Sequence, residues 1–403
     1  MSIKECIAMI LAGGQESHLA ALTTEVPQSA VPFGGSCRLI DFPLSNCYNS
    51  GIDTVGVLTS RQPFEMNGPI DSRTAQSLPH DRFNIHMLPP AGMDGLFSYT
   101  GTANALYENI DFIQQFSPEY ILVLAADHVY QMDYSLLIKY HKEKGADATI
   151  AVIEVPWSEA PRFGIMTTRL DGSVAEFIEK PVQPKSNLAS MGVYIFSWSK
   201  LKYYLGLDEA NPSSKHDFGK NIIPAMLSQG EQICAYPFKG YWRDVGTVKS
   251  LYEAHMDLLS SPPIFRIQNM KWPIYSTLND LPLPASIINH KRRKSFIGKN
   301  CCILGEIDKS IIFPDTYIGN KAIVKNSVVM PGAYVGPGAY VESAIIGPGA
   351  AVENGCPVLG GITEAIAVIG QNAVASYNKS SGVKHAINLG EPNYKGDWLQ
   401  MIK

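Results

Sequence analysis

The stretch CIAMILAGGQESHLAALTTEVPQSAVPFGG, residues 6–35, begins with an apolar run and turns at two glycines. The run Cys6–Ala12 contains no charged residue and fits a strand that is buried on both faces. Gly13 and Gly14 follow at its end, and glycine lets backbone N–H groups come close to a phosphate. Open α/β sheets bind nucleotides at strand ends of this kind. The stretch therefore predicts a nucleotide phosphate site, with a bare tight turn as the alternative.

Further apolar runs predict strands that alternate with helices up to about residue 255. The predicted strands are Thr54–Thr59, Tyr120–Ala126, Ala148–Val155 and Met191–Phe196. Helical spacing of apolar residues covers Thr102–Gln115 and Tyr134–Lys144. Continuous apolar strands between helices indicate a mostly parallel sheet with both faces covered, which is the doubly wound nucleotide-binding arrangement.

A six-residue repeat distinguishes the C-terminal part of the chain. The repeated aliphatic positions run from Ile297 to Ile303, from Ile312 through Ile318 to Val324, from Val335 to Val341 and from Ile346 to Val352. This period, with glycine after several of the aliphatic residues, is typical of the hexapeptide coils of a parallel β-helix. A β-sandwich is the alternative. Because repeat coils need capping or stacking partners, we also expect this domain to provide an assembly surface.

The predicted fold class is therefore α/β, a doubly wound and mostly parallel sheet followed by a left-handed parallel β-helix. Residues 1–257 are predicted to form the nucleotide-binding, Rossmann-like domain. Residues 258–285 are rich in proline, lack sustained periodicity and are interpreted as a linker. Residues 286–403 are predicted to form the β-helix and a C-terminal segment.

Composition narrows the class of protein. The chain has 403 residues, 45% of them hydrophobic and 17% charged, with a formal net charge of −4. Such a chain can bury a large core, and its balanced charge indicates neither a basic surface for nucleic acid nor an acidic tail. The seven cysteines show no CxxC spacing and lie largely within apolar runs, as expected of reduced thiols. No apolar run reaches the roughly 18 residues that span a bilayer, so we expect a cytoplasmic protein.

Two aspartates are candidate ligands for a divalent cation. Asp127 follows the run YILVLAA, which places it at the carboxyl edge of the predicted sheet, and Asp244 lies in GYWRDVGT before Gly246. Hard cations such as Mg²⁺ take carboxylate oxygens, and one or two carboxylates with substrate phosphates suffice. A helix cap or a turn is the alternative for either residue.

Two other pairs fit the binding of a sugar phosphate and a nucleotide. Glu179 and Lys180 lie in EFIEKP, where a carboxylate can accept sugar hydroxyls and an ammonium can neutralise a phosphate. A solvated ion pair is the alternative. Gly101 and Thr102 open a predicted helix, whose first N–H groups can face a base or a phosphate.

Several blocks of the sequence, in order, resemble the sugar-nucleotide pyrophosphorylases, and most closely the bacterial ADP-glucose pyrophosphorylases (glucose-1-phosphate adenylyltransferases). Besides EFIEKP and the opening segment, the blocks are SAVPFGGSCRLIDFPLSNCYNSGIDTVGVLT, GTANALYENIDFI, ADHVYQMDYS, ATIAVIEVPWSEAPRFGIM, SNLASMGVYIF, HDFGKNIIP and GYWRDVGTVKSLYEAHMDLL. The resemblance covers nearly the whole chain. It implies a nucleotidyltransferase domain that makes ADP-glucose and pyrophosphate from ATP and glucose 1-phosphate, in glycogen biosynthesis.

The resemblance also implies roles for particular residues. Asp127 and Asp244 would hold catalytic Mg²⁺. Lys180 would anchor the phosphate of glucose 1-phosphate and Glu179 would contact glucose. Residues that would bind substrate beside them are Gly13, Gly14, Gly101, Thr102, Gly164 and Ser190. Members of this family form tetramers, some of which contain two kinds of subunit. They also bind anionic allosteric effectors near the domain junction, where the basic cluster 291–294 lies. The alternative for this cluster is a solvated turn.

The phosphate loop departs from the family pattern, GGxGxRL followed by a lysine before PAVPFGG. Glu16 replaces the third glycine, His18 the arginine and Gln28 the lysine. The loop thus loses two cations and gains an anion, whereas the sugar-phosphate and metal residues are kept. A milder departure is Asn104, where the family has aspartate in GTADA. The pattern predicts a modulatory subunit of weak or no intrinsic activity, beside an active homologous partner.

Three alternatives remain from the sequence. The first is a competent adenylyltransferase in which His18 and another cation, Arg38 or Arg243, have taken over the lost charges. The second is an acyltransferase on the β-helix, which would need a catalytic base that is usually histidine, and residues 297–352 contain no histidine. The third is a scaffold or sensor without turnover.

Overall fold

The computed structural model describes residues 4–13, 19–24, 26–59, 83–90, 98–267, 269–276, 287–288, 292–361, 365–377 and 384–387. The chain divides into two compact units. The first is built from segments 1–15, 40–242 and 271–273, and the second from 16–39, 243–270 and 274–403.

The strands and helices follow in chain order. Up to residue 260 the strands are β1 (Cys6–Leu11), β2 (Pro32–Phe33), β3 (Cys37–Arg38), β4 (Thr54–Leu58), β5 (Asn84–Leu88), β6 (Tyr120–Ala125), β7 (His128–Tyr130), β8 (Ala148–Glu154), β9 (Gly164–Thr168), β10 (Val174–Glu179), β11 (Leu188–Ser197), β12 (Ile233–Pro237) and β13 (Trp242–Asp244). The α-helices are α1 (Asp41–Asn49), α2 (Thr102–Tyr107), α3 (Ile110–Gln114), α4 (Tyr134–Lys144), α5 (Trp198–Glu209), α6 (Ile223–Ser228) and α7 (Val248–Asp257). Short 3₁₀ turns cover Ala20–Leu22, Gln28–Ala30 and Ala160–Arg162, and a π-helix covers Phe218–Ile222.

The first unit is organised around a mixed sheet. Strands β6, β1, β4 and β5 run parallel in that spatial order, and β11 pairs antiparallel with β6. Beyond β11 lies β8, which is antiparallel to it, and β12 pairs parallel with β8. The hairpin of β9 and β10 joins the sheet through β9 and β11. Residues Ile7 to Ile10 of β1 are fully buried, as a strand covered on both faces requires.

The strands predicted from apolar runs are confirmed to within a few residues at each end. The helix predicted over Tyr134–Lys144 is also confirmed. Its N-terminus is capped by Asp133, whose side chain accepts a hydrogen bond from the Ser135 amide, and Gly145 ends it in the left-handed conformation.

The helix predicted over Thr102–Gln115 is divided into α2 and α3. Asn109 lies at the break, where its side-chain amide donates to the Ala105 carbonyl at 2.8 Å and to the Tyr99 hydroxyl at 3.0 Å. Asparagine competes in this way with the regular backbone ladder, so apolar spacing alone did not reveal the interruption.

The second unit contains the predicted left-handed parallel β-helix. Its strands are β14 (Ile287–Ile288), β15 (Arg292–Arg293), β16 (Phe296–Ile297), β17 (Cys302–Ile303), β18 (Glu306–Asp308), β19 (Ile311–Ile312), β20 (Tyr317–Ile318), β21 (Ile323–Lys325), β22 (Val328–Val329), β23 (Tyr334–Val335), β24 (Tyr340–Glu342), β25 (Ala344–Ile346), β26 (Ala351–Val352), β27 (Pro357–Leu359), β28 (Ala367–Ile369), β29 (Val374–Tyr377) and β30 (Lys384–Ile387). Every third strand joins the same sheet, and pairing within the three sheets is parallel except between β29 and β30.

The aliphatic residues predicted to point inward form the core of this unit. Ile318, Val324, Val329 and Val335 are fully buried, and Ile318 pairs with Val335 in the next coil. One side of three coils is a residue shorter than the six-residue period predicts, between Ile307 and Ile312, Val324 and Val329, and Val341 and Ile346. At the second of these corners Asn326 adopts a φ of 44°, which lets the chain turn in fewer residues.

The segment before α1 packs within the second unit. The hairpin of β2 and β3 places the Phe33 ring 4.5 Å from the imidazole of His255 on α7. His255 in turn lies 6.0 Å from the ring of Phe313 in the β-helix. The Tyr252 hydroxyl of the same helix donates to the Asn326 carbonyl at 2.6 Å. Where the predicted linker begins and ends remains a prediction.

Among the residues that the structure describes, no helix combines the length and apolar character needed to cross a bilayer. All seven cysteines lie in described segments as free thiols, and six of them are buried.

Candidate functional site

The carboxyl edge of the parallel strands carries two of the predicted site residues. Leu11 of β1 pairs with Ala125 of β6, so Gly13 and Asp127, two residues beyond each, lie at the same edge of the sheet. Gly13 is exposed and the Asp127 carboxylate is partly exposed. Gly14, Glu16 and His18 lie outside the described residues.

His128 fixes the surroundings of Asp127. Its Nδ1 donates to the Met191 carbonyl at 2.8 Å, and its Nε2 lies 3.6 Å from Asp127 Oδ1. The Trp242 ring packs edge-on against this imidazole at 5.1 Å. The histidine is therefore held from three sides, and the carboxylate beside it is presented at the sheet edge.

Glu179 is the last residue of β10 and pairs directly with Gly164 of β9. A Cβ at Gly164 would lie 2.8 Å from Glu179 Oε2, and one at Gly219 would lie 2.5 Å from the same oxygen. Real Cβ atoms do not approach so closely, so the carboxylate occupies a space that two missing side chains leave open. The structure thus brings together the predicted residues Gly164 and Glu179.

Burial and the neighbouring charges affect the pKa of this carboxyl group. Burial first, and then the negative charge of Asp217, raises the pKa of Glu179, while Lys180 and Lys220 oppose the shift. Lys180 follows in the left-handed conformation with a φ of 48°, and its amide donates to the Phe163 carbonyl at 3.0 Å. Its side chain is exposed. A cation and a half-buried carboxylate are therefore neighbours in the chain, and together they can bind an anionic group and hydroxyl groups.

Ser190 lies near the start of β11, where the strand is irregular. The pairing of β11 with β8 shifts between Ser190 and Tyr194, and Gly192 between them has a φ of 65°. The buried Ser190 hydroxyl donates to the Tyr194 hydroxyl at 3.1 Å and accepts from the Gly192 amide at 3.3 Å. Bulges of this kind re-aim side chains near sites. Because β11 runs antiparallel to β6, its beginning lies at the edge where β6 ends.

Gly101 and Thr102 contact the segment that precedes the π-helix. A Cβ at Gly101 would lie 2.2 Å from the His216 carbonyl oxygen, so only glycine fits there. The Thr102 hydroxyl donates to Asp217 Oδ2 at 3.1 Å and accepts from the Phe218 amide at the same distance. The start of α2 is thereby tied to residues 216–218.

Of the predicted site residues that the structure describes, Asp244 and Gln28 belong to the second unit. Asp244 ends β13, and its Oδ1 accepts from the Gly246 amide at 2.7 Å. Gln28 begins a 3₁₀ turn and is half-buried. Arg243, considered above as a substitute cation, pairs with Asp257 at 3.1 Å and with Glu253 at 3.7 Å, and Arg38 is buried.

The sequence reasoning missed the part that Asp217 and Gly219 play. Asp217 Oδ1 accepts from the amides of Gly219 and Lys220, both at 3.0 Å, while its other oxygen binds Thr102. An aspartate two residues before a glycine at a helix start is a capping signal, and HDFGKNIIP contains it. The contact with Glu179 had no sequence signal, since about 40 residues separate the two.

Comparison with known proteins agrees with this architecture. The sequence model of the family described as Nucleotidyl transferase matches residues 7–261, and that described as GlmU-like, C-terminal hexapeptide matches residues 285–364. A glucose-1-phosphate adenylyltransferase of Desulforamulus reducens is 53% identical over 327 residues, which cover 81% of this chain and 82% of the relative.

Two further relatives carry the same name. The glucose-1-phosphate adenylyltransferase of Clostridium beijerinckii is 51% identical, covering 81% of this chain and 85% of its own. The enzyme of Geobacillus stearothermophilus is also 51% identical, and the match covers 80% of this chain and 84% of the relative. The resemblance drawn from the sequence blocks is confirmed, and the chain belongs to the glucose-1-phosphate adenylyltransferase family.

Proposed function

We propose that this chain binds glucose 1-phosphate and acts as a modulatory subunit of ADP-glucose synthesis in glycogen biosynthesis. In the reaction that its relatives' name describes, a phosphate oxygen of glucose 1-phosphate attacks the α-phosphorus of ATP. A phosphorus–oxygen bond forms to the sugar phosphate, and the bond to the departing pyrophosphate breaks. The chain itself is expected to turn over weakly or not at all.

The observation that carries the sugar-phosphate part is the position of Glu179 beside Lys180. Glu179 lies in the opening left by Gly164 and Gly219, next to a lysine whose backbone is fixed by the Phe163 carbonyl. A carboxylate accepts hydrogen bonds from sugar hydroxyls, and a lysine neutralises a monoester phosphate. Ser190 supplies a further hydroxyl from the bulged strand.

The modulatory part rests on the charges of the phosphate loop. Phosphoryl transfer depends on fixed cations that neutralise the triphosphate, and losing one such group costs about 10²–10³ in rate. Glu16, His18 and Gln28 provide an anion, a weak base and a neutral amide in place of a glycine and two cations. The pairing of Arg243 with two carboxylates argues against its recruitment as a substitute.

A divalent cation fits the retained aspartates. Asp127 and Asp244 each present a half-buried carboxylate, the ligand type that Mg²⁺ prefers. Bound there with substrate, Mg²⁺ would neutralise charge on the phosphates. That these two residues hold one Mg²⁺ remains a prediction, as do a tetramer with an active homologous subunit, an anionic effector and a cytoplasmic location.

The test compares the purified chain alone, an active homologue alone and the two assembled together, in the direction of ADP-glucose synthesis with Mg²⁺. We expect the chain alone to be slower than the homologue by at least about 10². The assembled pair should differ from the homologue in its response to effectors or in its KM for glucose 1-phosphate. Family-like turnover by the chain alone would instead support the rewired enzyme.

A gain-of-function variant addresses the same point. Glu16→Gly, His18→Arg and Gln28→Lys together should raise the rate by about 10²–10³ or more. The matched control keeps the first two changes and carries Gln28→Met, which has a similar size but no charge. If neither triple variant gains activity, the phosphate loop is not what limits turnover, and the proposal fails.

A further inference from the structure

A Cβ at Gly219 would lie closer to the Glu179 carboxylate than a Cβ at Gly164 would. The three heavy atoms nearest to a Cβ at this position all belong to Glu179: Oε2 at 2.5 Å, Cδ at 2.9 Å and Cγ at 3.3 Å. At Gly164, on the other side, the nearest atom is Cζ of Phe177 at 2.5 Å, followed by Glu179 Oε2. The carboxylate therefore lies in a slot whose width both glycines set.

The backbone does not require glycine at position 219. Gly219 lies within the π-helix Phe218–Ile222 and is not among the glycines with positive φ. Alanine is therefore compatible with the local backbone, and the three atoms nearest to its methyl group would all belong to the flexible side chain of Glu179. We therefore expect an added methyl group to displace the Glu179 carboxylate.

The segment that carries Gly219 is anchored, so we expect the Glu179 side chain to move rather than the backbone of this segment. Asp217 accepts from the amides of Gly219 and Lys220 through one oxygen and from the Thr102 hydroxyl through the other. The Phe218 ring stacks on Tyr194, with ring centroids 6.1 Å apart. Two residues outside the segment, Thr102 and Tyr194, thus hold it, whereas the three atoms nearest to a Cβ at Gly219 all belong to the Glu179 side chain.

We propose that Gly219 is a positioning residue that acts through Glu179. By leaving space for Oε2, it selects the carboxylate conformer that accepts hydroxyl hydrogen bonds from an aldose 1-phosphate. Asp217 and the two lysines Lys180 and Lys220 are the charged groups that face this carboxylate. The inference rests on the proposed function, because it specifies how the sugar-phosphate pocket of that function is shaped.

The first experiment titrates the full chain with glucose 1-phosphate by calorimetry and compares Gly219→Ala with the parent. We expect the Kd to rise by roughly 10- to 100-fold, the loss expected for one hydrogen bond to a charged group. The matched control is Gly206→Ala on the exposed face of α5, where a Cβ would meet no atom within 4 Å. It should bind as the parent does, and an equal loss in both variants would overturn the inference.

A double-mutant cycle separates positioning from a general structural effect. Glu179→Ala removes the group through which Gly219 is proposed to act. In that background Gly219→Ala should cause no further loss of affinity, because coupled residues are non-additive. A further 10-fold loss in the double variant would show that Gly219 acts by another route.

A crystal structure of the Gly219→Ala variant distinguishes failure of this inference from failure of the proposed function. If the parent does not bind glucose 1-phosphate, the proposed function is wrong. The inference is then decided by the coordinates alone: a Glu179 carboxylate displaced from between residues 164 and 219 supports it. An unmoved carboxylate overturns it, whatever the parent binds.

Discussion

Asn104 shows at the residue scale why this chain departs from its family's pattern. The residue is buried, and its side-chain amide donates to Glu209 Oε2 at 3.2 Å while its carbonyl accepts from the Thr100 amide at 3.1 Å. An aspartate there would have no N–H to donate and would set two carboxylates against each other. The neutral amide therefore satisfies both partners.

His255 makes the second unit sensitive to acid. The imidazole is fully buried between Phe33 and Phe313, its Nδ1 donates to the Leu251 carbonyl at 2.8 Å, and its Nε2 has no hydrogen-bond partner within the described segments. Burial lowers the pKa of His255 to about 4 from its usual 6.5. Below pH 6.5 the imidazole of His255 is protonated in the unfolded chain but stays neutral in the folded chain. The free energy of unfolding therefore falls as the pH falls toward 4.

His255→Phe should remove this dependence. Between pH 7 and pH 5, the variant should lose about 1–2 kcal/mol less of its free energy of unfolding than the parent does. Urea unfolding at several pH values measures the difference, and comparison at pH 8, where the histidine is neutral in both states, is the control. If the free energy of unfolding depends on pH in the same way for the parent and the variant, the expectation is contradicted.

At the scale of elements, a ladder of serines supports the short side of the β-helix coils. The Ser310 amide donates to Ser295 Oγ, the Ser327 amide to Ser310 Oγ and the Ala344 amide to Ser327 Oγ, at 3.1, 3.1 and 3.2 Å. The strands β18, β21 and β24 end just before these corners. Each hydroxyl thus replaces a strand-to-strand bond where the pleat is interrupted.

Ser327→Ala should cost about 1–3 kcal/mol of the stability of this unit, because the buried Ala344 amide would lose its acceptor. Thermal or urea unfolding, followed by the far-ultraviolet signal of the β-helix, measures the loss. The matched control is Ser228→Ala on α6, whose exposed hydroxyl donates only within its own helix and should change little. Equal stability of the two variants would show that the ladder contributes nothing.

The elements were largely predictable because their signals are local. The apolar run of β1 and the six-residue repeat of the coils each lie within a few residues of the chain. The shorter side of three coils and the break at Asn109 depend on side-chain hydrogen bonds, which periodicity does not report. The direction of β11 was equally hidden, since an apolar run does not show which way a strand crosses a sheet.

At the scale of the whole molecule, Gly164 and Glu179, two of the residues predicted for the sugar-phosphate side, lie together, but the contacts that hold their surroundings were not predictable. Gly164 and Glu179 are partners in one hairpin, which the chain itself brings close. The segment 216–220 approaches them only in the folded state, through contacts with Thr102 and Tyr194. Motifs identify the groups that contact a substrate, whereas the residues that support those groups follow from packing.

Ligand-dependent stability tests the proposed asymmetry between the two substrates. Glucose 1-phosphate at about 100 times its Kd should stabilise the native chain by about 2.7 kcal/mol and raise its unfolding temperature. ATP with Mg²⁺, at the same concentration, should raise that temperature less, since the phosphate loop carries Glu16 and lacks two family cations. Inorganic phosphate is the control for a simple anion effect. An equal or larger shift with ATP would contradict the proposed function.

The hydrogen bonds described around the Glu179 slot come from Thr102, from β11 and from residues 217–219, none of which includes positions 16, 18 or 28. Substitutions at these three positions therefore remove none of these hydrogen bonds. Under the proposed function, a few codon changes at these positions after gene duplication would suffice to silence a copy that still folds and still binds sugar phosphate. Natural selection could then retain such a copy for regulation alone.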